Sequence, residues 1–186
     1  MSGLPLEQPG DVATQTKRSS SWFVRKPFEI SNPTEEILLD LREQGNRALF
    51  SGQYEMAKAA YERGIENAKK LDHQIALASF LNNLAIVMER LERPNEALEL
   101  LAESFEISYR LQHHEGINNS LSNASMIYAS YQQFDQALIN LEFSHALALH
   151  QNRLEDVAWA EEMIKEVQTY LKQVSFAIDT SNEHEE

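Results

Sequence analysis

Few residues in this chain are of a type and spacing that could do acid–base or metal chemistry. Only the run His113-His114-Glu115 and the pair His145 and His150 qualify as candidates. Adjacent histidines on a helix or turn diverge, and a spacing of five does not bring two ligands to one helical face as a spacing of four does. His73 and His113 fall at equivalent places in two predicted turns, which favours a structural role. The sequence contains no His-Glu-x-x-His, phosphate loop, dinucleotide fingerprint or nucleophile elbow. Cysteine is absent, which removes thiolate nucleophiles, disulfides and Cys-based zinc sites. The expectation is a non-enzyme with no catalytic residue, no metal site and no cofactor.

Charge narrows the remaining classes. The formal charge is −13, which argues against a phosphate-contacting surface and hence against a nucleic-acid partner. Residues 1–30 sum to +1 and residues 176–186 to −4, so the acidity belongs mainly to the body of the chain. Glu96, Glu99 and Glu103 fall at helical spacing and read as a solvated face. Tyr128, Tyr131 and Phe134 read as packing between helices rather than a platform for bases. No apolar run approaches the ~18 residues of a membrane helix, so no membrane insertion is expected. The first thirty residues lack the apolar core of a secretory signal. Together these features predict a soluble, cytoplasmic protein.

The elements that position side chains are helical. Residues 1–30 hold Gly3, Pro5, Pro9, Gly10 and Ser19-Ser20-Ser21 without apolar periodicity, and read as a disordered tail. Asn32-Pro33-Thr34-Glu35 is a helix start, with Asn32 as N-cap and Pro33 at the first helical position. From there to about Gln173 apolar residues recur at three and four, as in Leu77, Leu81, Leu84, Met88 and Leu91. Residues 174–186 read as a polar, acidic tail. A shift of 40 residues aligns Ala57, Ala97 and Ala137; Gly64, Ser104 and Ser144; Tyr61, Leu101 and Leu141; and Tyr54, Pro94 and Phe134. Asn83 then meets Asn123. A fixed period of this size means a stacked array.

On these residues the chain resembles the tetratricopeptide repeat family. The stretch from Gly45 through Gly52-Gln53-Tyr54 and Ala57 to Tyr61 and Gly64 is similar to the family's pattern of small, turn, small, aromatic and small positions. Asn82-Asn83-Leu84-Ala85 through Ala97, and Ser122-Asn123-Ala124-Ser125 through Ala137, fit the same frame. The 40-residue spacing resembles the kinesin light chain and polarity-scaffold type, and also peptide-sensing regulators of bacteria. Leu41, Leu81 and Leu121 replace the usual aromatic early in helix A. The implied fold is all-α: a right-handed solenoid of three helix pairs (about 34–73, 74–113 and 114–153) and a capping helix (about 154–173) within a domain of residues 31–173. Glu161 and Lys165 suit that cap's polar outer face.

The resemblance also implies a concave surface lined by the first helix of each pair. Carried over by position, it comprises Arg42, Glu43, Asn46, Leu49 and Phe50; Ser79, Asn82, Asn83, Ile86, Glu89 and Arg90; and Asn119, Ser122, Asn123, Met126, Ala129 and Ser130. An asparagine side chain can pair with both the N–H and the C=O of an extended peptide. Three such contacts at ~1 kcal/mol each amount to about 150-fold in affinity. In this reading Asn46, Asn83 and Asn123 hold the backbone, Asn119 adds a polar contact, and Ile86, Met126 and Phe50 read side chains. Arg42 and Arg90 would meet acidic groups. The alternative is that the asparagines tie helices together within the array. A basic clamp for a C-terminal carboxylate is the weaker idea, because Asn119 and Asn123 stand where it needs cations.

The implied function is a protein–protein interaction adaptor binding an extended segment of a partner protein or peptide. Two alternatives stand beside it: a chaperone or assembly factor for one client, and a subunit held in a stable complex through its convex or end faces. The tail segment around Trp22 and Phe23 is a candidate docking motif. It could pack on the first repeat, dock on another protein, or occupy the chain's own groove.

Overall fold

The structure, a computed structural model, describes the backbone of residues 36–182 and the side chains of residues 36–173. The predicted start at Asn32-Pro33 and the tail motif at Trp22 and Phe23 lie outside the described residues. Among the described residues seven helices follow one another: α1 (Glu36–Phe50), α2 (Tyr54–Lys70), α3 (Gln74–Arg90), α4 (Pro94–Arg110), α5 (His114–Ser130), α6 (Phe134–His150) and α7 (Leu154–Asn182). Consecutive helices pack on each other throughout, and no strand occurs among the described residues. The architecture is an all-α array of paired helices.

The 40-residue period has a simple physical origin. Each helix from α2 to α6 has 17 residues, and a three-residue turn separates it from the next. Every turn carries one residue in the left-handed region: Gly52, Asp72, Glu92, Gln112, Gln132 and Asn152, with φ between 51° and 71°. That conformation lets the next N–H reach back over the helix end, as in Gln53 N to Ala48 O at 2.8 Å and Arg93 N to Met88 O at 2.9 Å. Pro94 opens α4, where its missing N–H costs nothing. His73 and His113 are the N-caps of α3 and α5, their Nδ1 atoms accepting from the N–H of Ala76 and Gly116, each at 3.2 Å.

Close approach between helices rests on the small residues of the repeat. A Cβ at Gly45 would stand 2.2 Å from the Tyr61 ring, and one at Gly64 would stand 2.4 Å from the Phe80 ring. Both rings are fully buried and lie 6.4 Å apart between centroids. One repeat later the Gly64–Phe80 contact becomes Ser104 and Ser120, where Ser120 Oγ donates to Ser104 Oγ at 3.0 Å. Ser104 Oγ in turn donates to the Ala78 carbonyl at 2.9 Å. The same register is thus filled by an aromatic ring at one junction and by a hydrogen-bonded serine pair at the next.

The last helix closes the array. Trp159, Ala160 and Val167 of α7 are buried with Leu141 of α6, and Phe134 meets Tyr170 at 5.0 Å between centroids. Glu161 and Lys165 face outward. Arg153 holds the buried Asp156 at 2.5 Å at the start of α7. The helix runs past Gln173 to Asn182, into the stretch read from sequence as an acidic tail. No glycine or proline interrupts it over that length. No helix among the described residues is long and apolar enough to cross a membrane.

Candidate peptide-binding groove

The first helices of successive pairs, α1, α3 and α5, touch one another across the repeats, whereas no two of α2, α4 and α6 approach as closely. The first-helix layer is therefore the tighter one, and the array bends toward it. Between α3 and α5 lies a depression of about 410 Å³, counted out to open solvent, lined by Ile86, Glu89, Arg90, Asn123, Met126, Ile127 and Ser130. Ile86, Met126 and Ile127 make its floor apolar. Arg90 stands at its mouth, Nε 3.4 Å from Glu89. Tyr131 follows on the same side and stays 44 % exposed. Partial burial, then the nearby Glu89 and Glu92, raise its phenol above the usual range. Tyr131 is thus a surface group, unlike Phe134, which packs between helices as its apolar character demands.

Four of the eight residues that the sequence singles out for peptide contact line this one depression: Ile86, Arg90, Asn123 and Met126. The other four lie elsewhere. Asn83 sits one turn before Ile86 on α3 and is 4 % exposed. Asn119 is half-buried one turn before Asn123 on α5. Arg42 and Asn46 belong to α1, beside Tyr61. Asn46 Oδ1 accepts from the Tyr61 hydroxyl at 2.7 Å. Burial lowers the Arg42 pKa, opposed by Glu43 and Tyr61, and burial pushes the Tyr61 phenol well up, opposed by Arg42.

The asparagines differ from one another in what they already hold. Asn123 Nδ2 donates to Asn82 Oδ1 at 3.0 Å, joining α5 to α3 across the repeat. That is the tie the sequence reading leaves open, and Asn46 makes a similar tie inside the first pair. Each retains polar capacity, since one amide carries two donors and an acceptor with two lone pairs.

Sequence reasoning did not foresee the polar seam behind the groove. Ser144 Oγ donates to Asn118 Oδ1 in a short contact, and Ser122 lies 3.4 Å from Ser144. Asn118 and Ser144 are both buried. The aligned Gly64, Ser104 and Ser144 signalled small size, while the hydroxyl's bonding role showed only in three dimensions. Ile127 was also missed as a lining residue, because its helical spacing marks it as core. Away from the groove, His145 Nε2 lies 3.2 Å from Glu161. No group of three or more His, Asp or Glu that could hold a metal ion occurs among the described residues.

No family model matches the chain, and no curated protein matches it significantly. Solved structures do: eleven chains match. One is BtubC (BKLC) from P. vanneervenii, with a TM-score of 0.56 at 13 % identity, covering 89 % of this chain and 80 % of that one. At this identity the likeness shows the fold: an all-helical, paired repeat array.

Proposed function

We propose that this chain is a tetratricopeptide-type adaptor that acts in the cytoplasm, without catalysis, by holding an extended segment of a partner protein along the α1–α3–α5 surface. The observation that carries this reading is the depression between α3 and α5. Its apolar floor of Ile86, Met126 and Ile127 opens to solvent beside amide and guanidinium groups. An apolar side chain of the partner fills the floor. Asn123 and Asn83 meet the partner's backbone, and Arg90, released from Glu89, meets an acidic group. Arg42 and Asn46 extend the track along α1, with Asn119 at the start of α5.

Burying one large apolar side chain contributes roughly 1.5–3 kcal/mol, and three backbone contacts add ~3 kcal/mol. Micromolar affinity, ~8 kcal/mol, is the scale to expect once Arg42, Arg90 and further apolar contacts supply the remaining ~2–3.5 kcal/mol. The test is a displayed library of short peptides selected on the wild-type chain and on Met126→Lys, with circular dichroism to establish that the variant folds. Wild type is expected to enrich peptides sharing an apolar residue, and the variant to lose them. Enrichment of the same peptides by the folded variant would contradict the reading.

A further inference from the structure

The outer face of α6 departs from the other second helices. Ile139, Phe143, Ala146 and Leu149 form a stripe at spacings of four, three and three, which places them on one side of the helix. All four are exposed, Ile139 to 66 %, Phe143 to 48 % and Leu149 to 53 %. In the register of α4 the same positions are Glu99, Glu103, Glu106 and Tyr109. In α2 they are Ala59, Arg63, Glu66 and Lys69. The array thus presents charge at these positions twice and an apolar stripe the third time. Asp135 and Glu142 of α6 are exposed around it, so the patch is greasy at its centre and acidic at its rim.

We propose that this stripe is the docking site of the chain's own segment Ser21–Phe28, with Trp22 and Phe23 on Phe143 and Ile139 and with Arg25 and Lys26 on the acidic rim. Three observations select this occupant. The first is charge: residues 31–175 carry −10 of the net −13, while the segment places Arg25 and Lys26 next to its aromatics. The second is reach. Because the helices alternate in direction, α1 begins at the edge of the array where α2, α4 and α6 end. Tyr109, Leu111, Leu149 and Leu154 are exposed on that edge, leading from the chain's entry toward the stripe. With the helix start that the sequence places at Asn32-Pro33, Trp22 precedes it by 10 residues, an extended span of about 34 Å. Because α1, α3 and α5 touch in turn and α6 packs on α5, three helix-to-helix steps of 8–10 Å lead from α1 to α6, at most about 30 Å. The third is size. One stripe about 15 Å long falls well short of the roughly 800 Å² per partner of a stable dimer, and a second copy would bring like charge against like charge. Docking there leaves the concave groove open, so it stands or falls separately from the peptide-binding reading.

The test uses the full chain labelled with 5-fluorotryptophan. The protein has two tryptophans, and the Trp22 resonance is assigned with Trp22→Phe. Docking predicts that the Trp22 fluorine resonance shows little shift between H2O and D2O. Phe143→Glu should restore the full solvent shift without moving the Trp159 resonance. Arg63→Glu, at the equivalent position of α2, should leave Trp22 shielded. Shielding should persist on dilution, because the contact lies within one chain. A fully solvent-shifted Trp22 in the wild type overturns the proposal, as does shielding indifferent to Phe143→Glu. Shielding lost on dilution, or a dimer abolished by Phe143→Glu, assigns the stripe to a second copy and overturns it equally.

Discussion

Gly64→Ala is the most informative single change for the packing argument. In an unremarkable helix it would stabilise by about 1 kcal/mol, since alanine is the better helix former. Here the new Cβ would stand 2.4, 2.5 and 2.6 Å from three atoms of the Phe80 ring. Phe80 is fully buried and cannot swing out to make room. Overpacking of this kind costs typically about 1–3 kcal/mol, and three simultaneous contacts put the site at the upper end. After subtracting the propensity gain, the expected net loss is about 1–2 kcal/mol. Phe80→Leu removes the offending ring edge, so the double variant should be less destabilised than the sum of the singles by about 1–2 kcal/mol. Urea unfolding followed by far-ultraviolet circular dichroism gives the totals. Because repeat arrays can unfold in pieces, Trp159 fluorescence followed in parallel in a Trp22→Phe background reports on α7. A Gly64→Ala protein as stable as wild type, or additivity in the double variant, would refute the reasoning.

Other consequences follow from the turns, caps and seam. Glu92, Gln112 and Gln132 adopt positive φ, a conformation in which glycine is unstrained. Replacing any one of them with glycine should raise the urea midpoint, by an amount equivalent to about 0.5–1 kcal/mol. Burial lowers the His113 pKa; Arg153 and His114 lower it further, and Glu115 opposes them. With the folded value below the usual ~6.5, the unfolded chain binds more protons in between, so stability falls as pH drops below about 6.5. His113→Ser replaces the Nδ1 acceptor with a hydroxyl oxygen that can still cap the helix, and should flatten the urea midpoint between about pH 7 and about pH 5 relative to wild type. Asn118→Leu would leave the buried Ser144 hydroxyl only its long contact with Ser122, 3.4 Å away, and should cost about 1–3 kcal/mol in the same unfolding assay. Adding Ser144→Ala should recover part of that loss.

Fold was legible in the sequence to the extent that it depends on size and period. The aligned Ala57, Ala97 and Ala137 mark close helix contacts, and all three are fully buried in the structure. Tyr54, Pro94 and Phe134 each open a helix as their register requires. The turns were less legible. Gly52, Asp72 and Asn152 are of types that favour positive φ, while Glu92, Gln112 and Gln132 adopt it because the helix-closing hydrogen bonds demand it. The candidate site divides along similar lines. Periodicity places Ile86, Arg90, Asn123 and Met126 on facing sides of α3 and α5, and they do converge. Spacing cannot reveal that Asn123 already spends a donor on Asn82, because that bond joins residues 41 apart in sequence through the stacking of two repeats. The apolar stripe of α6 was present in the sequence as well. It stood out only once the structure fixed which positions of a second helix face solvent.

The central claim is that a partner segment lies in the first-helix groove. The most direct measurement places a photo-crosslinking amino acid at Met126, and in a separate protein at Met56, which is exposed on α2, in cells that make the chain. The account predicts a covalent adduct from position 126 that maps to a short segment of one partner, and no such adduct from position 56. Adducts that form from position 56 alone would contradict it.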